Sequence, residues 1–165
     1  MIRPARQADT TGILDLTAAT GVFKPHEVET LEEVLCDFFD HNHHFAHRAF
    51  VREEAGRVVG HVYHALEEMT ARTWCLWWIA VSPDQQGKGI GRELLAFVED
   101  DVRAVGGRLL VIETSDTPAY ELTRRFYLKH GYAAAAAVPD YYADGDGKVV
   151  FWKRLRGGDN PPHGA

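Results

Sequence analysis

The sequence predicts a mixed α/β (α+β) domain in which a sheet carries helices on both faces. Segments of apolar 3.6-residue periodicity alternate with short apolar runs of strand length. One such run, TWCLWWIAV at 73–81, is apolar on both faces, as a central strand covered on both sides requires. A second, LLVIET at 109–114, is the same kind of buried strand.

The elements follow in order. Residues 1–7 read as a first strand. Asp9 caps a helix that carries Ile13, Leu14 and Leu16. Pro25 opens a second helix, with Val28, Leu31, Leu35 and Phe38 at helical spacing. Residues 47–54 and 57–66 form a hairpin around the Ala55-Gly56 turn. After the strand at 73–81 comes the loop SPDQQGKG. A helix follows, with Ile90, Leu94, Val98, Val102 and Val105 on one stripe, and Gly106-Gly107 end it. Pro118 starts a further helix that runs to Gly131. Final strands near 132–138 and 147–155 flank an acidic loop holding Tyr141 and Tyr142.

A length of 165 residues fits one domain, taken as 1–156, with the Gly- and Pro-rich end at 157–165 as a disordered tail. No apolar stretch reaches the ~20 residues of a membrane span, and no apolar signal core stands at the start. A cytoplasmic protein without a membrane partner is therefore expected. Cys36 and Cys75 are the only cysteines, and Cys75 reads as a buried reduced thiol. The net charge of −6 argues against a basic face for nucleic acid and suits a cationic amine, although solubility alone also accounts for it.

The segment Gln86-Gly87-Lys88-Gly89-Ile90-Gly91-Arg92 carries the chemistry. Three glycines in five residues allow a sharp turn and close ligand approach. The helix that follows offers unpaired N–H groups and the positive end of its dipole, a site suited to a diphosphate. Lys88 and Arg92 add charge at the rim. A P-loop needs a Gly-Lys-Ser/Thr triplet that is absent, and the dinucleotide spacing fails because no glycine stands three residues after Gly91.

What does match is Gln-x-x-Gly-x-Gly at Gln86, Gly89 and Gly91, after an apolar strand ending Val81-Ser82-Pro83. This resembles the acetyl-coenzyme A signature of the GNAT N-acetyltransferase superfamily. Phe126-Tyr127-Leu128-Lys129-His130-Gly131-Tyr132, about 35 residues further on, is similar to that family's second segment. The resemblance spans residues 1–155. It implies a mostly antiparallel sheet of six to seven strands and an enzyme that uses acetyl-coenzyme A without a metal. The resemblance implies as acceptor a primary amine of a small molecule or peptide, with a cationic small molecule expected, and it allows a homodimer.

The resemblance also assigns roles. Ile79, Ala80 and Val81 pair with the pantetheine arm, and residues 86–92 bind the diphosphate. Tyr127 is the general acid for the leaving thiolate. On a helix Phe126 faces the core, and Tyr127, turned by ~100°, points to the cleft. Many members carry an Asn where this chain has Tyr120, whose hydroxyl is then the replacement contact to the arm. The strand at 73–81 lacks the acid that some members place there, so Glu113 is the first candidate for the base and Asp116 the second. The rival readings are a catalytically silent acyl-coenzyme A-binding module and transfer of a longer acyl group.

Other features carry less. His41, His43, His44 and His47 lack a Cys/His framework and read as a solvated loop. His61 and His64 fall on opposite strand faces. Trp74 and Trp78 share a face that Trp77 does not, with core packing as the default. The run Asp140–Gly147 lacks the closing Glu of a calcium loop.

Overall fold

The computed structural model describes residues 1–42 and 46–155. The tail at 157–165, and His43 and His44 of the histidine run, lie outside the described residues. Among the described residues seven strands and four helices run β1 (Ile2–Pro4), α1 (Thr10–Ala19), α2 (Pro25–Asp40), β2 (His47–Glu54), β3 (Arg57–Leu66), β4 (Thr73–Val81), α3 (Ile90–Ala104), β5 (Leu109–Ser115), α4 (Glu121–Lys129), β6 (Ala133–Ala143) and β7 (Asp146–Arg154). The strand order is β1-β2-β3-β4-β5-β7-β6; β4 and β5 pair in parallel, whereas β1–β2, β2–β3, β5–β7 and β6–β7 are antiparallel. Among the described residues no helix is long and apolar enough to cross a membrane.

The chain forms two compact units: 1–66 with 77–98, and 67–76 with 99 onward. In the first, alternation along β2 and β3 sends successive side chains to opposite faces. Ala49, Val51 and Tyr63 pack with Ile13, Leu31, Leu35 and Phe38 of α1 and α2. Phe50 turns the other way and meets Phe97 of α3 at 4.7 Å. Helices thus cover both faces here. Gly60 lets α3 approach β3 closely, because a Cβ there would stand 2.9 Å from Leu94 Cδ1 and 3.2 Å from the Ala80 carbonyl.

His61 and His64 do fall on opposite faces. His64 stacks on Phe50, and His61 Nε2 lies 2.8 Å from Thr17 Oγ1 of α1. The Thr17 hydroxyl donates to the Ile13 carbonyl, so His61 Nε2 carries the hydrogen and donates to Thr17. Burial pulls the His61 pKa down to about 3 from 6.5. The folded imidazole stays neutral while the unfolded one takes a proton below 6.5, so stability falls as pH drops through that window. The slope is about 1.4 kcal/mol per pH unit, or about 2 kcal/mol from pH 6.5 to 5. Urea titrations at both pH values, on the parent and on His61→Gln, measure it. An equal loss in the variant would acquit His61.

In the second unit β5 pairs with β7 from Leu109↔Arg154 to Ser115↔Lys148. Leu110, Ile112 and Phe151 are buried with Tyr127 and Tyr132. Glu99, 7% exposed, accepts two hydrogen bonds from Lys153 Nζ, at 2.8 and 2.9 Å, and one from the Tyr132 hydroxyl at 3.1 Å. This satisfies a carboxylate that would otherwise be costly to bury.

Several boundaries differ from the sequence reading. The first strand is only Ile2–Pro4. Asp9 stands at the helix N-cap but does not cap with its side chain, which instead takes two bonds from Arg3 and one from the Arg6 amide. Val105 lies past the end of α3 and is exposed. Pro118 opens a single 3-10 turn, and α4 starts only at Glu121. Tyr141 and Tyr142 belong to β6, although the ladder breaks between Val138 and Ala143. Neither cysteine forms a disulfide; Cys36 is exposed and Cys75 only half-buried. Trp77 is exposed rather than in a core, and both Trp77 and Trp78 contact Tyr63, at 5.6 and 6.0 Å, so simple alternation fails there.

Candidate active site

In the first unit the end of β4 is fixed before the glycine loop begins. The Ser82 amide donates to the Val59 carbonyl at 2.9 Å, and the Ser82 hydroxyl donates to Asp84. Asp84 also pairs with Arg57, and these contacts, Arg57 first, hold its carboxyl well below the usual range. A 3-10 turn spans Pro83–Gln85. Gln86 then reaches back, its amide nitrogen donating to the Val81 carbonyl at 3.1 Å. The motif glutamine therefore ties the loop to the strand it follows.

Gly87 and Gly89 adopt φ of 76° and 86°, the left-handed region that glycine enters without a Cβ penalty. A Cβ on either would meet nothing within 4 Å. The glycines serve the turn and leave open space in front of it. The first helical bond runs from the Glu93 amide to the Gly89 carbonyl at 3.0 Å. Among the described residues, the amides of Gly87, Lys88, Gly89, Ile90, Gly91 and Arg92 have no protein acceptor. Unpaired amides at the positive end of a fifteen-residue helix have the chemistry to accept an anion. Lys88 Nζ bonds Gln85 at 3.0 Å, and Arg92 is exposed. Ile79 and Val81 are half-buried and Ala80 is buried. The β4–β5 register ends at Leu76↔Ile112, three residues before Ile79.

Tyr127, Tyr120 and Glu113 lie in the second unit. Tyr127, not Phe126, is the residue that α4 buries; Phe126 is half-buried. The Tyr127 ring packs against Phe126 at 5.5 Å, Phe151 at 5.6 Å and Tyr132 at 5.9 Å. Its hydroxyl makes no hydrogen bond with any described residue. Burial, then Tyr120 and Cys75 nearby, push its pKa up, so it stays protonated at neutral pH. Tyr120 ends the 3-10 turn before α4.

Glu113 is exposed on β5, with Lys148 Nζ at 3.1 Å. Lys148 sits two residues from Glu113's cross-strand partner Val150, hence on the same face. The same lysine covers the Tyr141 ring at 3.8 Å. Burial, with Glu113 next in effect, raises Tyr142 to about 12. Asp116 accepts a bond from the Gly147 amide at 2.8 Å. Sequence reasoning missed Lys148 and the brace formed by Arg57, Ser82 and Asp84, because both depend on register between distant segments. It also missed Arg124, which ties α4 to the carbonyls of Ser115 and Thr117. Among the described residues no group of His, Cys, Asp and Glu could hold a metal.

A solved GNAT-family protein from Desulfovibrio desulfuricans superposes with a TM-score of 0.90 at 32% identity, over 94% of this chain and 99% of that one. An uncharacterized N-acetyltransferase of Methanocaldococcus jannaschii is 29% identical over 68% of this chain and 69% of its own length. A Salmonella typhimurium structure described as holding its cofactor acetyl-CoA shares the fold, with a TM-score of 0.75 at 19% identity, over 99% and 98% of the two chains. The family model of the acetyltransferase (GNAT) family matches residues 13–132, a span that includes the unpaired amides at 87–92 and Tyr127, and the chain therefore belongs to the GNAT acetyltransferase family.

Proposed function

We propose that residues 1–156 act as one cytoplasmic domain that transfers the acetyl group of acetyl-coenzyme A to a primary amine of a small molecule or peptide, by direct attack. The run of unpaired amides from Gly87 to Arg92 carries this reading. Its geometry suits a diphosphate, and Lys88 and Arg92 add positive charge beside it. Ile79, Ala80 and Val81 offer the strand segment beyond the β5 register, where an extended arm can add as a further strand. The amides of that segment polarise the acetyl carbonyl.

The bound cosubstrate supplies a thioester, whose thiol titrates near ~8.5. Tyr127 donates its phenolic proton to the departing sulfur, a role supported by its raised pKa and its unbonded hydroxyl. Tyr120, beside it in electrostatic reach, takes the place of the family's Asn toward the arm. Glu113 accepts the proton that the attacking amine sheds, directly or through water, and Lys148 orients it. Release of free thiol from acetyl-coenzyme A against a panel of primary amines tests the reading. The expected result is amine-dependent release by the purified chain. Thermal protection by acetyl-coenzyme A without release from any amine would instead favour the silent binding module.

A further inference from the structure

Trp77 is 43% exposed, yet it is braced like a core ring. Its indole stacks on Tyr63 with centroids 5.6 Å apart and 27° between planes. His47 meets it edge-on at 5.4 Å, and Trp78 at 6.1 Å. Tyr63 is itself buried, and its hydroxyl hydrogen-bonds His47 Nδ1 at 2.7 Å. A rigid, electron-rich indole is held open to solvent with its backing already built.

Two other exposed or half-buried rings have a protein cation over them. Arg48 stands over Phe50 at 5.7 Å and Lys148 over Tyr141 at 3.8 Å. No described Lys or Arg takes Trp77. Arg48 follows His47 on β2 and so turns to the opposite face. The near charge is negative: Asp37 of α2 acts on Tyr63, and α2 contains no Lys or Arg. An exposed indole with no Lys or Arg over it, stacked on a Tyr63 that feels the Asp37 carboxylate, is a place for an organic cation.

We infer that Trp77, backed by Tyr63 and His47, holds the second ammonium of a diamine acceptor while the other nitrogen is acetylated. The inference rests on the transferase reading of Ile79–Val81. The reacting nitrogen must be neutral, so the group on the ring is a different one. That nitrogen forms the new C–N bond and loses a proton, the C–S bond breaks, and the thiolate is protonated. Trp77 precedes Ile79 by two residues, about 7 Å along a strand. An aliphatic diamine of about five carbons covers that span.

Two measurements on the full chain test it. Fluorescence titration without acetyl-coenzyme A compares pentylamine, protonated at pH 7, with neutral pentan-1-ol. The amine should bind at least about fivefold tighter, Trp77→Phe should keep most of that preference, and Trp77→Leu, which preserves apolar bulk, should lose it. In turnover, the KM for 1,5-diaminopentane should lie at least about fivefold below that for pentylamine, and the ratio should approach one in Trp77→Leu. Equal binding of amine and alcohol by the parent, or preferences that survive Trp77→Leu, overturn the subsite. Failure of acetyl-coenzyme A to protect the parent thermally would strike the transferase reading instead, and the titration would still decide the ring's role.

Discussion

Gly89→Glu should reduce acetyl-coenzyme A affinity by at least about a hundredfold, measured by calorimetry, while the chain still folds. Two effects separate cleanly here. The backbone at this position has φ of 86°, so any side chain costs about 1–2 kcal/mol of stability. That cost is modest because a Cβ meets nothing within 4 Å. The larger effect is electrostatic. A carboxylate about 5 Å from one phosphate charge costs about 3 kcal/mol at an effective dielectric constant of about 20, more than a hundredfold in affinity. Gly89→Ala isolates the first effect and should retain binding within about tenfold. If Gly89→Glu binds as the parent does, the amides at 87–92 are not the diphosphate site. An equal loss in Gly89→Ala would assign the requirement to loop conformation rather than to charge.

The parts of this fold that were legible in the sequence are those set by local rules. The hairpin at 47–54 and 57–66 carries its own turn, the strand at 73–81 its unbroken apolar run, and the structure reproduces those limits. The glycine loop was legible for the same reason, since turn, glycines and helix start are contiguous. What failed depends on competition between distant groups. Asp9 is a good N-cap residue, but Arg3 claims its carboxylate. Glu113 reads as an open strand-end acid, yet the β5–β7 register brings Lys148 to it. Helical spacing fixes the angle between Phe126 and Tyr127 but not which one faces inward. Contacts with Phe151 and Tyr132 decide that, and both come from later in the chain. The strand-end turn near Tyr141 and Tyr142 misled because Asp140, at φ 52°, takes a left-handed position in mid-strand and accepts a bond from the Gly145 amide.

That buried position makes Tyr127→Phe the sharper test of chemistry. The substitution keeps the ring and hence its packing on Phe126, Tyr132 and Phe151. It removes a hydroxyl that bonds no described residue, so no partner is left unsatisfied and the unfolding midpoint should hardly move. Acetyl-coenzyme A affinity should also stay within a few-fold, because the proposed diphosphate contacts lie at 87–92. Turnover should fall by about 10²–10⁴, the usual worth of a positioned general acid. The split is diagnostic. A role in packing alone would lower stability and leave kcat intact, whereas a role in binding would raise KM. Loss confined to kcat, and smaller for a thioester analogue whose thiol is more acidic, would identify the missing function as proton delivery to sulfur. A leaving group that departs readily as the anion needs no acid, so its rate should converge in parent and variant. Unchanged turnover with acetyl-coenzyme A itself would remove Tyr127 from the mechanism and leave it a core ring of the second unit.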